Sequence, residues 1–307
     1  MAARTFSVGV DVDHLKHYYR IHGHDDQSAT GAAFAVGVPR FMELFEELGI
    51  PATFYCVSED LQEPGVAARL REAVAAGHEI GNHSWHHRYD LTRLPDDERR
   101  AEVERAREQL EEAAGAPVVG FRAPGYTTSP DLLADVAATG HTYDSSVFPC
   151  VPYYSAKAAV MGLMALRGRR SQSILGPPAP LLAPRGPYPV DPARPYRRAA
   201  TGLLEYPISV AGGLPMLGTA FTALGERGAL AAVALAWRLL PHVTVEFHAV
   251  DLLALADDGL DPALATQPDL KTPVAKKRRI FKRSLGFLAE RAEAIRLDAL
   301  TASLAGD

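Results

Sequence analysis

The sequence has few cysteines, no excess of positive charge and no long apolar run. Its 307 residues include two cysteines, Cys56 and Cys150, too few for a framework of disulfides. Cys56 lies inside the apolar run 52–57, which indicates a buried thiol rather than a nucleophile. The net charge of −5 argues against a general nucleic-acid binder. These absences exclude a disulfide scaffold and disfavour a nucleic-acid partner.

Segments with the composition of a signal peptide or a membrane span are also missing. Residues 1–4 lead directly into the first apolar run, and no stretch reaches the roughly 18 apolar residues of a membrane-spanning helix. We therefore expect a cytoplasmic protein, with the inner membrane face as a second location. The apolar content of 47% and charged content of 22% are ordinary for a globular chain. All 307 residues are expected to form a single domain.

Short apolar runs with strand character alternate with longer helical patterns along most of the chain. The predicted strands are 6–10, 52–57, 78–81, 118–121, 142–143, 203–210 and 243–247. The predicted helices are 38–48, 66–76, 96–114, 131–139, 228–240 and 285–300, with a long loop over 14–33. This alternation is typical of βα units around a parallel sheet.

Residues 147–201 break the alternation, since proline is dense and only 156–166 has a helical pattern. We predict an insertion after the fifth strand that covers the site. Its helix, followed by basic residues, either lies at anionic headgroups or packs on the barrel as a lid. Those basic residues are Arg167, Arg169 and Arg170. The basic run 276–283, before the C-terminal helix, is either a patch for phosphate or membrane or a solvated surface.

Polar residues collect immediately after the predicted strands. They are Asp11, Asp13, His83, His87, Arg122, Asp144 and His248. In a parallel barrel the loops at the carboxyl ends of the strands form one rim, where the chemistry takes place. Residues spread over most of the chain are therefore predicted to converge on one site.

Two histidines and two aspartates among them suggest a metal site. His83 and His87 are four apart, so a helical turn would place both imidazoles on one face. Asp11 and Asp13 are two apart on an extended chain and point to the same side. Catalytic zinc takes three protein ligands and keeps a position for water. One carboxylate is therefore a candidate third ligand and the other a general base, with His86 as an alternative to His87.

The order of these motifs resembles that of the polysaccharide deacetylases of carbohydrate esterase family 4, in a subgroup with an Asp-x-Asp first motif. The motifs are Asp11-Val12-Asp13, His83-Ser84-Trp85-His86-His87, Arg122-Ala123-Pro124, Asp144 and His248. The resemblance covers roughly residues 5–148 and 203–250. It implies an α/β fold, an incomplete (β/α)7 barrel with a long insertion after the fifth strand. It also implies removal of N-acetyl groups from amino sugars with a divalent metal.

The resemblance implies a role for each matching residue. Asp13, His83 and His87 correspond to the metal ligands. Asp11 would be the general base, Arg122 would orient it and His248 would protonate the leaving amine. A backbone N–H of Gly125 or Tyr126 would hold the oxyanion.

Two departures from the family pattern leave alternatives open. Val12 separates two aspartates that are usually adjacent, so the roles of Asp11 and Asp13 could be exchanged. A tryptophan often found near the fourth motif is missing around Asp144, which either has a structural role or binds the leaving acetate or the substrate.

The expected activity is that of a metal-dependent N-deacetylase acting on an N-acylated amino sugar in a glycan, a nucleotide sugar or a lipid-linked precursor. One divalent ion is expected, with zinc as first choice and Co, Ni, Mn or Fe also suited to two histidines and an aspartate. A peripheral membrane contact and a homo-oligomer stay open. A deformylase, a cyclic-ureide amidase and a catalytically silent sugar-binding protein are the alternatives.

Two aromatic features are open to more than one interpretation. Trp85 is either a core residue or a platform for a sugar ring. The loop histidines are either a second metal cluster or part of a solvated, substrate-facing loop. They are His14, His17, His22 and His24.

Overall fold

The computed structural model describes residues 4–22, 30–166, 176, 178–191 and 193–305, which form an α/β fold. Its strands are β1 (Thr5–Val12), β2 (Thr53–Cys56), β3 (Glu79–Asn82), β4 (Gly120–Phe121), β5 (Tyr143–Asp144), β6 (Tyr188–Asp191), β7 (Arg194–Arg198), β8 (Leu203–Glu205), β9 (Val210–Ala211), β10 (Leu214–Pro215), β11 (His242–His248) and β12 (Glu293–Ala294). Its α-helices are α1 (Leu15–His22), α2 (Val38–Leu48), α3 (Val66–Ala75), α4 (Asp96–Ala114), α5 (Pro130–Ala138), α6 (Val151–Leu166), α7 (Gly218–Leu239), α8 (Leu255–Asp258), α9 (Val274–Ala289) and α10 (Leu297–Ala305).

Seven parallel strands form the sheet that carries the polar residues. Their spatial order is β11-β1-β2-β3-β4-β5-β8, and each coincides with a strand predicted from the sequence. The hairpin β6–β7 extends this sheet, because β6 pairs antiparallel with β8 and β7 pairs antiparallel with β6. The predicted α/β fold is therefore confirmed, and the insertion after the fifth strand contributes two strands to the sheet.

The two ends of the parallel sheet, β8 and β11, are joined by single hydrogen bonds rather than a strand ladder. The Ser209 N–H donates to Thr244 O at 3.1 Å, and the Glu246 N–H donates to Met216 O at 2.9 Å. These bonds connect β11 to the segment that comes after β8 in the chain. The arrangement matches the predicted incomplete barrel.

The strand β1 runs through the middle of the hydrophobic core. Phe6, Val8 and Val10 are fully buried, because β1 has β11 on one side and β2 on the other. Phe41 and Phe45, one turn apart on α2, belong to the same core. A strand buried on both faces needs a continuous apolar sequence, and the apolar run 6–10 therefore identifies this strand from the sequence alone.

The prediction of a loop over 14–33 is wrong for its two ends. Residues 15–22 form α1, and Ala33–Gly37 form a π-helix. Leu15, Tyr18 and Tyr19 have the i, i+3, i+4 spacing of a helix and are buried. The histidines and basic residues between them obscure that spacing in the sequence.

The predicted helix 285–300 is in fact two helices with a strand between them. α9 ends at Ala289, β12 pairs with β1, and α10 begins at Leu297. The Glu293 N–H donates to Arg4 O at 3.0 Å and the Ile295 N–H donates to Phe6 O at 3.0 Å. An available edge of β1 therefore outweighs the local helical preference.

Two other predicted elements have different bounds. The sixth strand ends at Glu205 rather than at residue 210, and Val210 pairs instead in the hairpin of β9 and β10. The helix predicted over 228–240 begins ten residues earlier, at Gly218, with a break at Gly225, where φ is 67°. α7 therefore consists of two helical segments that meet at a kink at Gly225.

The insertion and the basic run also differ from expectation. α6 begins at Val151 instead of residue 156, and the basic residues 167–170 lie outside the described part of the chain. The run 276–283 belongs to α9 and is paired rather than free. Arg278 and Lys282 form ion pairs with Glu47, and Arg279 and Arg283 form ion pairs with Glu226. These charges therefore attach α9 to α2 and α7, and the alternative of a free phosphate or membrane patch is not supported.

Across the described residues, no helix is both long enough and apolar enough to cross a membrane.

A buried carboxyl in β3 predicts a measurable pH dependence of stability. Tyr143 OH donates to Glu79 Oε1 at 2.7 Å, and Thr53 Oγ1 donates to Glu79 Oε2 at 2.7 Å. Burial nevertheless raises the pKa of Glu79 from 4.5 to about 7. Between these values the unfolded chain loses this proton while the folded protein keeps it, so stability falls as pH rises.

In wild type, the Glu79 carboxyl should lower the unfolding free energy by about 3 kcal/mol as the pH rises from about 4.5 to about 7. We expect this contribution to be absent in Glu79→Gln. Urea unfolding at several pH values measures this, with Glu43→Gln on the exposed face of α2 as control. Parallel stability curves for wild type and Glu79→Gln would contradict the expectation.

Candidate active site

Three side chains at the carboxyl ends of β1 and β3 converge on one point. Asp13 Oδ1 lies 3.4 Å from His83 Nε2 and 3.4 Å from His87 Nε2. All three residues are buried. Asp13 Oδ1 has no hydrogen-bond donor among the described residues, and a buried carboxylate oxygen without a donor is costly.

The residues fit a divalent cation. Two ligands bound to one tetrahedral ion at about 2.1 Å lie about 3.4 Å apart, which is the separation of Asp13 Oδ1 from each imidazole nitrogen. A cation at this point would also supply the missing partner of Asp13 Oδ1. The donor set of two imidazoles and one carboxylate suits zinc and other first-row metals.

His83 and His87 do not share a helical turn, so this part of the sequence prediction is wrong. They lie on a tight loop after β3, in which Ser84 and His87 have φ values of 68° and 54°. The Ser84 N–H donates to Asn82 Oδ1 at 2.8 Å, and the His87 N–H donates to Ser84 Oγ at 3.0 Å. These side-chain bonds offer the backbone an alternative to the helix and bring the two imidazoles together.

The neutral imidazole is the favoured form of both histidines. His83 Nδ1–H donates to Arg122 O at 2.7 Å, which leaves the lone pair on Nε2 facing Asp13. Burial lowers the pKa of His83, and burial lowers the pKa of His87 to about 3. Neutral imidazole is the form that binds a metal.

Asp11 is held by an arginine and not by the histidine pair. Arg122 Nη1–H donates to Asp11 Oδ1 at 2.8 Å, and its other nitrogens donate to Ser145 O and Ser145 Oγ at 2.8 Å each. Burial alone would raise the pKa of Asp11, but the Arg122 charge, with His83 and His248, lowers it to about 2. A Cβ at Gly9 would lie 2.8 Å from Arg122 Nη1, so only glycine leaves room for this guanidinium. The carboxylate is ionised and fixed in direction.

His248 lies at the end of β11 in a group that the sequence only partly revealed. His248 Nε2 lies 3.9 Å from Glu246 Oε1, and Tyr126 OH donates to that oxygen at 2.6 Å. Burial would lower the pKa of His248, but the carboxyl groups of Glu246, Asp11, Asp13 and Asp251 raise it to about 9. Glu246 could have been found, since residues two apart on a strand face the same side. The carboxyl groups around His248 therefore favour its protonated form.

The Arg122-Ala123-Pro124 motif is followed by an unusual turn. Gly125 and Tyr126 have φ values of 65° and 61°, in the left-handed region that glycine adopts most readily. The Tyr126 N–H already donates to Ala123 O at 3.1 Å. The sequence predicted either Gly125 or Tyr126 as the oxyanion donor. Because the Tyr126 N–H is already bonded, the Gly125 N–H is the better candidate.

Asp144 lies away from the cavity, beneath the Arg122 motif. Ser146 Oγ donates to Asp144 Oδ1 at 2.6 Å and accepts from the Ala123 N–H at 2.8 Å. Asp144 is fully buried, and burial raises its pKa. These contacts support the structural alternative, in which Asp144 fixes the turn that carries Arg122.

His86 and Trp85 point away from the metal-ligand cluster. His86 Nδ1 lies 2.5 Å from Glu102 Oε1, so His86 is engaged elsewhere and His87 takes the position near Asp13. Trp85 packs on His86, at 4.0 Å between ring centroids, and contacts Arg105. Trp85 does not line the active-site cavity.

The described loop histidines lie next to the site without forming a separate cluster of their own. The His17 and His87 rings lie 4.5 Å apart. His17 also approaches Glu59 and Asp60, but Lys16 Nζ lies 2.7 Å from Asp60 Oδ1 and 3.0 Å from Glu59 Oε2. An ammonium group therefore already compensates these carboxylates. The side chain of His22 and all of His24 lie outside the described part of the chain.

The candidate site residues open into one cavity of about 360 Å³. Asp11, Asp13, His83, His87 and His248 all line it. α6 covers part of it with Tyr153, Ala156, Lys157 and Met161, and two further tyrosines, Tyr18 and Tyr89, also line it. The sequence pattern offers no reason to place Lys157, Tyr18 or Tyr89 here, because their positions depend on how α6, α1 and the histidine loop pack.

Comparisons with known proteins show similarity to polysaccharide deacetylases. The polysaccharide deacetylase family model matches residues 25–143. A peptidoglycan deacetylase from Helicobacter pylori is 26% identical over 152 residues, which cover 48% of this chain and 51% of that protein. The chain therefore spans about half the length of this curated relative.

Two solved structures share the fold over nearly the whole chain. A protein from Mycobacterium smegmatis described as a polysaccharide deacetylase has a TM-score of 0.63 at 17% identity, covering 98% of this chain and 90% of that one. The allantoinase Puue has a TM-score of 0.60 at 15% identity, with the same coverage of 98% and 90%. The chain is therefore similar to the polysaccharide deacetylases over residues 25–143 and has the fold of these two structures.

Proposed function

We propose that this chain is a metal-dependent hydrolase that removes the N-acetyl group from an amino sugar in a glycan, a nucleotide sugar or a lipid-linked precursor. The observation that carries the proposal is the buried Asp13 Oδ1, which has no donor among the described residues and lies 3.4 Å from two imidazole nitrogens. The family relationship supports hydrolysis of an acetamide.

Asp13, His83 and His87 would hold the cation, which when bound polarises the acyl carbonyl and makes water more acidic. Asp11 is the general base, because Arg122 keeps it ionised and aims Oδ2 toward the cavity side, 3.8 Å from His83 Nε2. Asp11 takes one proton as the water oxygen adds to the carbonyl carbon. The Gly125 N–H would donate to the oxyanion.

The leaving amine needs a proton, since an amide anion is a poor leaving group. His248, held protonated by the carboxyl groups around it, donates that proton to the nitrogen as the C–N bond breaks. Tyr126 contributes by hydrogen bonding Glu246, which lies beside His248. The products are acetate and the free amine. The complete set of base, acid and ligands supports this enzyme over a silent sugar-binding protein.

Removing the metal should abolish activity reversibly. We expect one divalent ion per chain by mass spectrometry, loss of at least about 100-fold in acetate release after chelation, and recovery with Zn²⁺ or Co²⁺. His83→Ala should lose the ion, whereas His86→Ala, a neighbouring histidine paired with Glu102, should keep it. Full activity of metal-free protein, or equal metal content in both variants, would reject the proposed site.

The acyl group is tested on the same preparation. N-acetylated sugars should release acetate faster than N-formylated sugars release formate, and allantoin should not be hydrolysed. Faster formate release would favour the deformylase alternative, and allantoin turnover would favour the amidase. Sugar binding without any release would indicate a binding protein.

A further inference from the structure

A second cavity, of about 320 Å³, adjoins the active-site cavity. Four residues line both of them: Gly125, Tyr126, Tyr153 and Lys157. The two cavities are therefore adjacent and share this boundary. A substrate whose acyl group lies beside Asp11 and His248 would reach the second cavity past Lys157.

The charged side chains that line the second cavity are positive. Among the described residues that line it, Arg93 and Lys157 are cationic and none is acidic. Lys157 Nζ donates to Gly125 O at 3.4 Å and forms no ion pair with a described carboxylate. Arg93 is exposed, and it too has no ion pair within the described chain. Burial lowers the pKa of Lys157 to about 8, as expected for an ammonium group without a compensating anion.

Hydroxyl groups also line this cavity, and they belong to Thr127, Thr128, Tyr154 and Tyr196. Their hydrogen bonds stay within the protein: Thr127 Oγ1 donates to Pro124 O, Tyr154 OH donates to Gly176 O, and Thr128 Oγ1 and Tyr196 OH are bonded at 2.8 Å. These bonds fix a polar wall around the two cations. The cations are the groups that recognise a carboxylate or a phosphate.

We propose that the second cavity binds an anionic substituent, a carboxylate or a phosphate, on the amino sugar whose N-acyl group occupies the active site. This inference rests on the proposed function. It adds a specificity site formed by α6 and the segment that carries Arg93, and it makes Lys157 a substrate-binding residue at the boundary of the two cavities.

The test compares three N-acetylated sugars: N-acetylglucosamine, N-acetylmuramic acid, which adds a carboxylate, and N-acetylglucosamine 6-phosphate. We expect a higher kcat/KM for at least one charged sugar than for the neutral one, and the larger of the two identifies the anion. Lys157→Met and Arg93→Met should each lower the charged-to-neutral ratio about tenfold. Lys276→Met, an exposed lysine of α9 outside both cavities, should leave the ratio unchanged. High salt should also reduce the ratio in wild type.

Failure of this inference can be told apart from failure of the proposed function. Equal kcat/KM for neutral and charged sugars, or an unchanged ratio in both cavity variants, would overturn the second site while leaving deacetylation intact. If wild type hydrolyses none of the three and also releases no acetate from N-acetylated glycan oligomers, nucleotide sugars or lipid-linked sugars, the proposed function fails. The second site is then tested by calorimetric measurement of sugar binding. The proposal requires that a charged sugar binds more tightly than the neutral one and that this difference is lost in Lys157→Met.

Discussion

Asp11→Asn is expected to lower kcat by about a thousandfold while the bound metal stays at the wild-type level. Asparagine preserves the shape of the side chain and accepts the Arg122 hydrogen bond through its amide oxygen, but it cannot take a proton from water. Asp13→Asn should instead lose most of the metal, because Asp13 Oδ1 lies at the centre of the ligand cluster. Acetate release and metal content measured on the same samples separate the two effects.

The opposite outcome has a definite meaning. If Asp11→Asn loses the metal and Asp13→Asn keeps it, the roles of the two aspartates are exchanged. The Asp11–Arg122 hydrogen bond of 2.8 Å argues against that exchange, since a carboxylate already paired with a guanidinium is a weaker candidate for a ligand than one without a donor.

Arg122→Met is expected to lower the unfolding free energy by about 3 to 5 kcal/mol. The guanidinium is fully buried, so its loss leaves the buried Asp11 carboxylate and the Ser145 carbonyl without their donors. Urea denaturation at neutral pH measures the change. Arg100→Met, which removes an exposed partner of Glu104, is the control and should cost at most about 1 kcal/mol.

A double variant separates the buried charge from the lost packing. Asp11→Asn combined with Arg122→Met removes both charges, so it should be more stable than Arg122→Met alone. A double variant that is less stable than Arg122→Met would show that the unpaired Asp11 charge is not what destabilises Arg122→Met.

The strand-end residues could be located from the sequence because each follows a short apolar run. Asp11 lies near the end of β1, Asp13 follows it, His83 follows β3, and His248 ends β11. In parallel βα topology the carboxyl ends of all strands lie at the same rim, so the polar residues at these ends come together. Local pattern and topology were together sufficient to predict that these residues meet at one rim, whereas the choice of Asp13 over Asp11 as a metal ligand came from the family resemblance.

The surroundings of these residues could not be found in the same way. The helical geometry expected for His83 and His87 was wrong, because bonds from Asn82 and Ser84 hold a loop. Glu246 was not predicted, although its position two residues before His248 on β11 places both side chains on one face of the strand. Lys157 reaches the site only because α6 folds back over the rim.

By itself the sequence determined the alternation of strands and helices, the seven parallel strands and the residues at their ends, because these depend on local periodicity and on a general rule of topology. Only the tertiary structure decided the 3.4 Å approach of Asp13 to both imidazoles, the pairing of Arg122 with Asp11 and the second cavity beside Lys157. Those features arise from contacts between segments far apart in the chain or from how one helix packs over a rim. Neither is encoded in the order of neighbouring residues.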